Sequence, residues 1–167
     1  MSVFFDRQYL STLAPLIKHA QREILVAVYE WAWYDHQQAG TAQEINRLVC
    51  YAAAHGVKIQ ALLHNDAGKT HLSKINHKTA SRLRRCHVEV RLGNSRRIIH
   101  AKLWVFDGHT AIVCTHNIST RAVTTNAELG VVLTDPADVQ AVRNYFLDLF
   151  SRYAPPKPAD EVPHGMG

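Results

Sequence analysis

Apolar positions along this chain change period several times, from two to roughly three and a half and back, and the changes divide it into alternating strands and helices. A short strand near Ser2 to Phe5 leads into a helix in which Leu10, Leu13, Leu16, Ile17 and Ala20 recur at helical spacing. An apolar run from Glu23 to Tyr29 then reads as a strand. A second helix is expected from about Thr41 to Ala54, capped by Thr41 with Glu44 three residues on and ended by Gly56. Strand Val57 to His64 follows, then a helix from about Lys69 to Arg85 that turns Leu72, Ile75, Thr79 and Leu83 inward. Strand Val88 to Leu92, a hairpin around Asp107-Gly108, strand Leu129 to Leu133 and a helix from Pro136 to Tyr153 complete the series. Strands alternating with helices in this way predict an α/β fold, an α/β/α sandwich on a mixed β-sheet, with residues 1–153 as a single domain. Beyond Ala154 lie four of the six prolines and two glycines, which predict a flexible tail over 154–167.

The Asp107-Gly108 hairpin determines which side chains meet. A two-residue turn pairs Phe106 with His109, so Lys102 is expected opposite Val113, His100 opposite Thr115 and Ile98 opposite Asn117. Alternation then gathers His100, Lys102, Thr115 and Asn117 on one face, leaving Leu103, Val105, Ile112 and Cys114 to pack on the other. Such a patch offers a nucleophile, a cation, a hydroxyl and an amide donor. Asp107 suits the turn for backbone reasons and is read as mainly structural.

The spacing of His100, Lys102, Asp107 and Asn117 resembles the H-x-K-x4-D-x6-G-S-x-N signature, the HKD motif, of the phospholipase D superfamily, in its single-motif, bacterial endonuclease-like branch. Where that signature has Gly-Ser, this chain has Cys114-Thr115, which keeps a hydroxyl. Asn126-Ala-Glu128-Leu-Gly is similar to the downstream strand whose Glu, in single-motif members, holds the catalytic imidazole. The stretches 22–29 and 52–63 look like the strand and helix-Gly-strand units that precede the motif. The resemblance implies a phospholipase D-like fold and hydrolysis of a phosphodiester without metal or other cofactor. It implies His100, Lys102, Asn117 and Glu128 as catalytic residues, with Thr115 supporting the phosphate. The chemistry resembles a two-histidine reaction and only one motif is present, so a homodimer joined through the active-site face is expected to supply the second His100.

Charge adds a substrate class. The net charge is +5, and between Lys69 and Lys102 lie ten of the nineteen Lys and Arg residues with Glu89 as the one acid. Lys74, Lys78, Arg82 and Arg85 form a stripe on the third predicted helix, and Arg96-Arg97 sit just before His100. These six residues are candidates for nucleic-acid binding. Tyr29, Trp31, Trp33 and Tyr34 cluster at the end of the second strand, a place from which aromatic rings stack on bases or fill a core. No H-E-x-x-H pattern or cysteine pair accompanies the eleven histidines, so no metal site is expected.

Cys50, Cys86 and Cys114 are isolated in sequence and read as reduced thiols. With only a short apolar run after Met1 and no transmembrane-length segment, the chain is expected in the cytoplasm without stable membrane association. A metal-independent endonuclease acting on DNA or RNA through a covalent phosphohistidine fits these features best. A phospholipid phosphodiesterase of the cardiolipin type would use the same residues but want an apolar entrance. A non-catalytic nucleic-acid-binding module would leave His100 dispensable.

Overall fold

The computed structural model describes residues 1–36, 41–66, 70–94 and 96–155; most of the expected tail lies outside them. Its elements in chain order are β1 (Ser2–Phe5), α1 (Gln8–His19), β2 (Glu23–Val28), α2 (Ala42–Ala54), β3 (Lys58–Leu63) and α3 (His71–Arg85). There follow β4 (Glu89–Leu92), β5 (Leu103–Phe106), β6 (Thr110–Cys114), α4 (Thr120–Thr124), β7 (Leu129–Leu133) and α5 (Pro136–Ser151). Seven strands form one mixed sheet in the order β1-β7-β6-β5-β2-β3-β4, parallel between β2, β3 and β4 and antiparallel elsewhere. This is the α/β fold that the alternating periods predict.

Each face of the sheet carries its own core. Leu13 and Ile17 of α1, Ile45 and Val49 of α2, Ala80 and Leu83 of α3 and Val123 of α4 pack with Ile24, Val26, Ile59 and Trp104 on one face. On the other, α5 is the one helix among the described residues, and it covers Leu25, Ala27, Leu62, Leu103 and Val105 with Val139, Phe146, Leu149 and Phe150. The central strands are therefore apolar on both sides and read as continuous hydrophobic runs. Because α5 covers only part of its face, Val3 and Phe5 of β1, Val113 of β6 and Leu129 of β7 remain exposed.

Three expectations are corrected here. The ladder beyond the Asp107-Gly108 turn runs Phe106↔Thr110 and Leu103↔Val113, one residue out of the predicted register. His109 closes the turn, its N–H donating to Phe106 O at 3.0 Å, and is the extra residue in the loop. The slip places Ile112 and Cys114 on the Trp104 side and Val113 on the Leu103 side, as period-two alternation requires. Asp107 (φ 53) and Gly108 (φ 71) keep the positive φ of a tight Asp-Gly turn, and the Asp107 carboxylate accepts the N–H groups of Gln21, Arg22 and Glu23 at 2.7–2.9 Å, which fastens the loop to the α1–β2 connection.

The second correction is covalent: Cys50 on α2 and Cys86 at the end of α3 form a disulfide, with Cα atoms 5.1 Å apart, and only Cys114 is a free thiol. Residues 36 apart in sequence give no local sign of pairing; α2 and α3 packing on the same face brings them together. Third, the inward stripe of α3 is Ser73, Asn76, Thr79, Ala80 and Leu83, with Leu72 and Ile75 half-buried. Polar groups are tolerated there because they satisfy backbone: Asn76 Nδ2 donates to Tyr29 O and His64 O at 2.8 Å, its Oδ1 accepts the Trp31 N–H at 2.9 Å, and Thr79 Oγ1 donates to Trp31 O.

Candidate active site

β2 and β3 end side by side, and the open edge beyond their C-terminal ends is where ligands bind in sheets of this kind. Asn76 ties the two strand ends together from below. Tyr29 projects from the end of β2, and its ring stacks on His64 beyond β3 at 5.1 Å with 16° between planes. The exposed His100 ring lies at the same 5.1 Å from Tyr29, tilted by 57°. Lys102 is buried, and its Nζ lies 3.3 and 3.4 Å from the two ring nitrogens of His100, able to donate to whichever lacks a proton. Burial pulls the Lys102 pKa below its ordinary value, and the Glu128 carboxylate works against that fall.

A cavity of about 600 Å³ opens beside this pair, lined by His100, Lys102, Cys114 and Thr115 on one side and by Leu103, Val113, Val142 and Tyr145 on another. His100, Lys102 and Thr115 thus meet at one space although the register differs from that expected. Asn117 sits at the end of β2, where its Oδ1 accepts the Glu30 N–H at 3.2 Å and the neighbouring Ile118 N–H donates to Glu30 O at 2.9 Å. Its Nδ2 is left to donate. Asp107 lies at the opposite end of β5 from His100, fastened to backbone. Its partial burial pulls its pKa up, but the N–H groups of Glu23, Gln21 and Arg22 outweigh that and hold the carboxyl below the usual carboxylate range.

Glu128 does not hold the His100 imidazole. Its carboxylate accepts from Thr115 Oγ1 and from Asn126 Nδ2 (3.1 Å), while its own N–H donates to Asp6 Oδ1 at 2.8 Å. It orients the Thr115 hydroxyl instead. Cys114 fills the place of the motif's glycine as an inert group, since burial pushes its thiol up to about 12. Room for it comes from across the ladder, where it pairs with Gly130: a Cβ on Gly130 would lie 2.7 Å from the Cys114 Cβ and 2.1 Å from Phe4 Cζ.

The basic stripe is divided by its partners. Lys78 and Arg82 form ion pairs with Asp35 at 2.9 and 3.0 Å, whereas Lys74, Arg85, Arg96 and Arg97 are exposed. The aromatic cluster is split as well. Trp31 is fully buried, its Nε1 donating to Asn46 Oδ1 at 2.6 Å, and Trp33 and Tyr34 pack against the same core, so Tyr29 alone of the four contacts His100.

Sequence reasoning missed His64, Asn76 and His116. His64 ends a predicted strand at the ligand edge, which was a usable signal. Asn76 had none, because a polar residue inside an amphipathic helix reads as its solvent face. His116 is buried in contact with Phe4 and Tyr9, donating from Nε2 to Asp6 O at 3.0 Å, and burial lowers its pKa.

Residues 13–150 match the family model described as Cardiolipin synthase, PLD-like domain. No curated protein matches the chain. Among solved structures, Nuc, a phospholipase D family member from Salmonella typhimurium, is 17% identical and superposes with a TM-score of 0.76 over 93% of this chain and 98% of its own. NucT from Helicobacter pylori is 19% identical, with a TM-score of 0.73 over 92% and 97% of the two chains. Phosphatidylserine synthase from Haemophilus influenzae is 14% identical, with a TM-score of 0.68 over 93% of this chain and 39% of its own. At these identities the likeness is one of fold.

Proposed function

The chain belongs to the phospholipase D-like family of the cardiolipin synthase type, and from that premise we propose that it is a metal-independent phosphodiesterase, an endonuclease working as a homodimer. The observation that carries this reading is the contact of an exposed imidazole with a buried ammonium 3.3 Å away at the edge of an open cavity, His100 with Lys102. In the reaction, unprotonated His100 Nε2 forms a bond to phosphorus while the bond to the leaving oxygen breaks. The protonated His100 of a second copy gives that oxygen its proton. The second imidazole then takes a proton from water, whose oxygen attacks phosphorus, breaks the P–N bond and returns the first His100 to its starting state. Lys102 and Asn117 Nδ2 donate to the non-bridging oxygens as charge builds on them, while Thr115, its one hydroxyl proton given to Glu128, supports the phosphate side of the cavity by its position.

Dimerisation draws support from the exposed apolar residues beside the site. Val113 and Tyr145 line the catalytic cavity and are 40% and 45% exposed, continuous with Val3, Phe5 and Leu129 across the uncovered sheet face. A two-fold contact here would bring two copies of His100 together while covering that face. Both cores sharing one sheet supports reading residues 1–153 as one catalytic domain. The exposed Lys74, Arg85, Arg96 and Arg97 favour a nucleic-acid substrate. The Cys50–Cys86 bond favours an oxidising compartment over the cytoplasm to which the sequence pointed. No helix among the described residues is long and apolar enough to cross a membrane.

A phospholipid substrate is the second reading, favoured by the apolar wall of that same cavity. One experiment separates the two. Purified protein in excess chelator, beside His100→Ala, is given labelled single- and double-stranded DNA and RNA and cardiolipin-containing vesicles. Cleavage of nucleic acid by the wild type alone is expected. Hydrolysis confined to the vesicles would transfer the assignment to the lipid reading, and activity that appears only with added magnesium would overturn the mechanism.

A further inference from the structure

His64, a second imidazole at the site, has no part in the proposed phosphodiester reaction. We propose that it is a positioning residue for His100: its Nδ1 takes the Ile99 N–H and so fixes the segment that presents the catalytic imidazole. The inference rests on the reading of His100 as nucleophile.

The need for such a support follows from the backbone. β5 begins only at Leu103, so Ile98 to Ala101 run without strand structure, and His100 is not carried by a ladder. The Ile99 N–H donates to His64 Nδ1 at 3.3 Å. Ile99 is itself buried, and its side chain packs so closely on Gly93 that a Cβ there would lie 2.9 Å from Ile99 Cγ1. The chain beside His100 is therefore held on one side by an apolar contact and on the other by an imidazole nitrogen.

His64 is rigid enough to serve. Its N–H donates to Val28 O at 3.3 Å, its carbonyl accepts from Asn76 Nδ2 at 2.8 Å, and its ring stacks on Tyr29, the ring that also contacts His100. A nitrogen that accepts an amide N–H carries no proton, so the neutral ring bears its hydrogen on Nε2. Burial favours that neutral form most, His100 adds to the effect, and Asp66 opposes it. Tyr29, with Lys102 Nζ 5.7 Å from its ring centroid, also stands against the His64 ring. Protonating Nδ1 would set one donor against another and release Ile99. An acid limb in the activity is the consequence, because the bond persists only above the pKa at which His64 charges in the folded protein.

The test uses bis(p-nitrophenyl) phosphate, too small to need the basic surface, with His64→Leu, which keeps bulk but has no acceptor, and His64→Asn, whose Oδ1 restores one. Expected is a loss in kcat on the order of a hundredfold for His64→Leu, with KM changed by less than about threefold. His64→Asn should recover much of the rate and shed the part of the acid limb that His64 contributes, because its amide does not titrate, leaving the limb that the nucleophile His100 itself imposes. Nitrogen-15 NMR of the wild type should find Nδ1 unprotonated and the Ile99 amide protected from exchange. A wild-type kcat and pH profile in His64→Leu would overturn the proposal, and so would a protonated Nδ1 at neutral pH. The NMR arm needs no turnover, so a wild type inactive on every phosphodiester would sink the proposed function while His64 was still decided by its own signal.

Discussion

Asn117 Oδ1 accepts the Glu30 N–H at 3.2 Å, and this contact decides which end of the amide is free to act as a donor. Asn117→Asp keeps the acceptor for Glu30 but replaces the NH2 with a charged oxygen, beside a substrate that is itself an anion. The expected result is a fall in kcat of about 10²–10³ with little change in melting temperature. Steady-state kinetics on bis(p-nitrophenyl) phosphate with parallel thermal melts checks it. An active Asn117→Asp would remove this amide from the site.

Asp107 sits in the same motif yet should behave in the opposite way. Its carboxylate receives three backbone N–H groups at the α1–β2 connection, away from the cavity. Asp107→Ala leaves those donors without their partner and is expected to cost about 2–3 kcal/mol of stability while kcat on the folded fraction holds within about threefold. The folded-state pKa lies below the unfolded value near 3.9, so the contribution is fully present above that value and disappears as pH falls through the lower, folded one. Urea unfolding at pH 7 and at pH 3 should therefore separate wild type from variant at the first pH and bring them closer at the second.

How these two residues differ shows what the sequence could and could not convey. Element types were readable where a strand or helix announces its own period, and Leu129–Leu133 appears where expected, whereas the five-residue α4 is too short to show one and was not foreseen. The meeting of His100, Lys102 and Thr115 was legible although its predicted register was off by one, since turns bring those positions near one another in either ladder. What was lost depends on distant partners. Gln21, Arg22 and Glu23 anchor the hairpin loop through Asp107. Trp31 disappears inward because Asn46 receives its indole N–H. Asn76 binds three backbone groups that a helical pattern does not reveal.

The Cys50–Cys86 bond closes a loop of 36 residues running from α2 through β3 and α3, and the chain-entropy estimate for that length is about 4 kcal/mol. A Cys50→Ala, Cys86→Ala double variant should lose stability of that order in denaturant unfolding. Wild type treated with reductant should approach it. Activity at low temperature should survive, because neither sulfur lines the cavity beside His100. Equal unfolding midpoints for oxidised and reduced protein would contradict the stabilising role.

The uncovered sheet face supplies the last prediction. Val113 on β6 and Tyr145 on α5 border the cavity beside His100 with their apolar surfaces in solvent. Burying a charge where two copies meet costs several kcal/mol unless it finds a partner, enough to split a dimer at micromolar concentration. Val113→Glu should therefore sediment as a monomer, keep the wild-type circular dichroism spectrum and lose phosphodiesterase activity. Arg91→Ala, on the far side of α5 where its guanidinium bonds Phe150 O and Tyr153 O, should lower stability without altering oligomeric state. Because the proposed reaction draws one imidazole from each copy, mixing His100→Ala with Val113→Glu should restore nothing. A Val113→Glu monomer with wild-type kcat would show that one copy of the chain is sufficient.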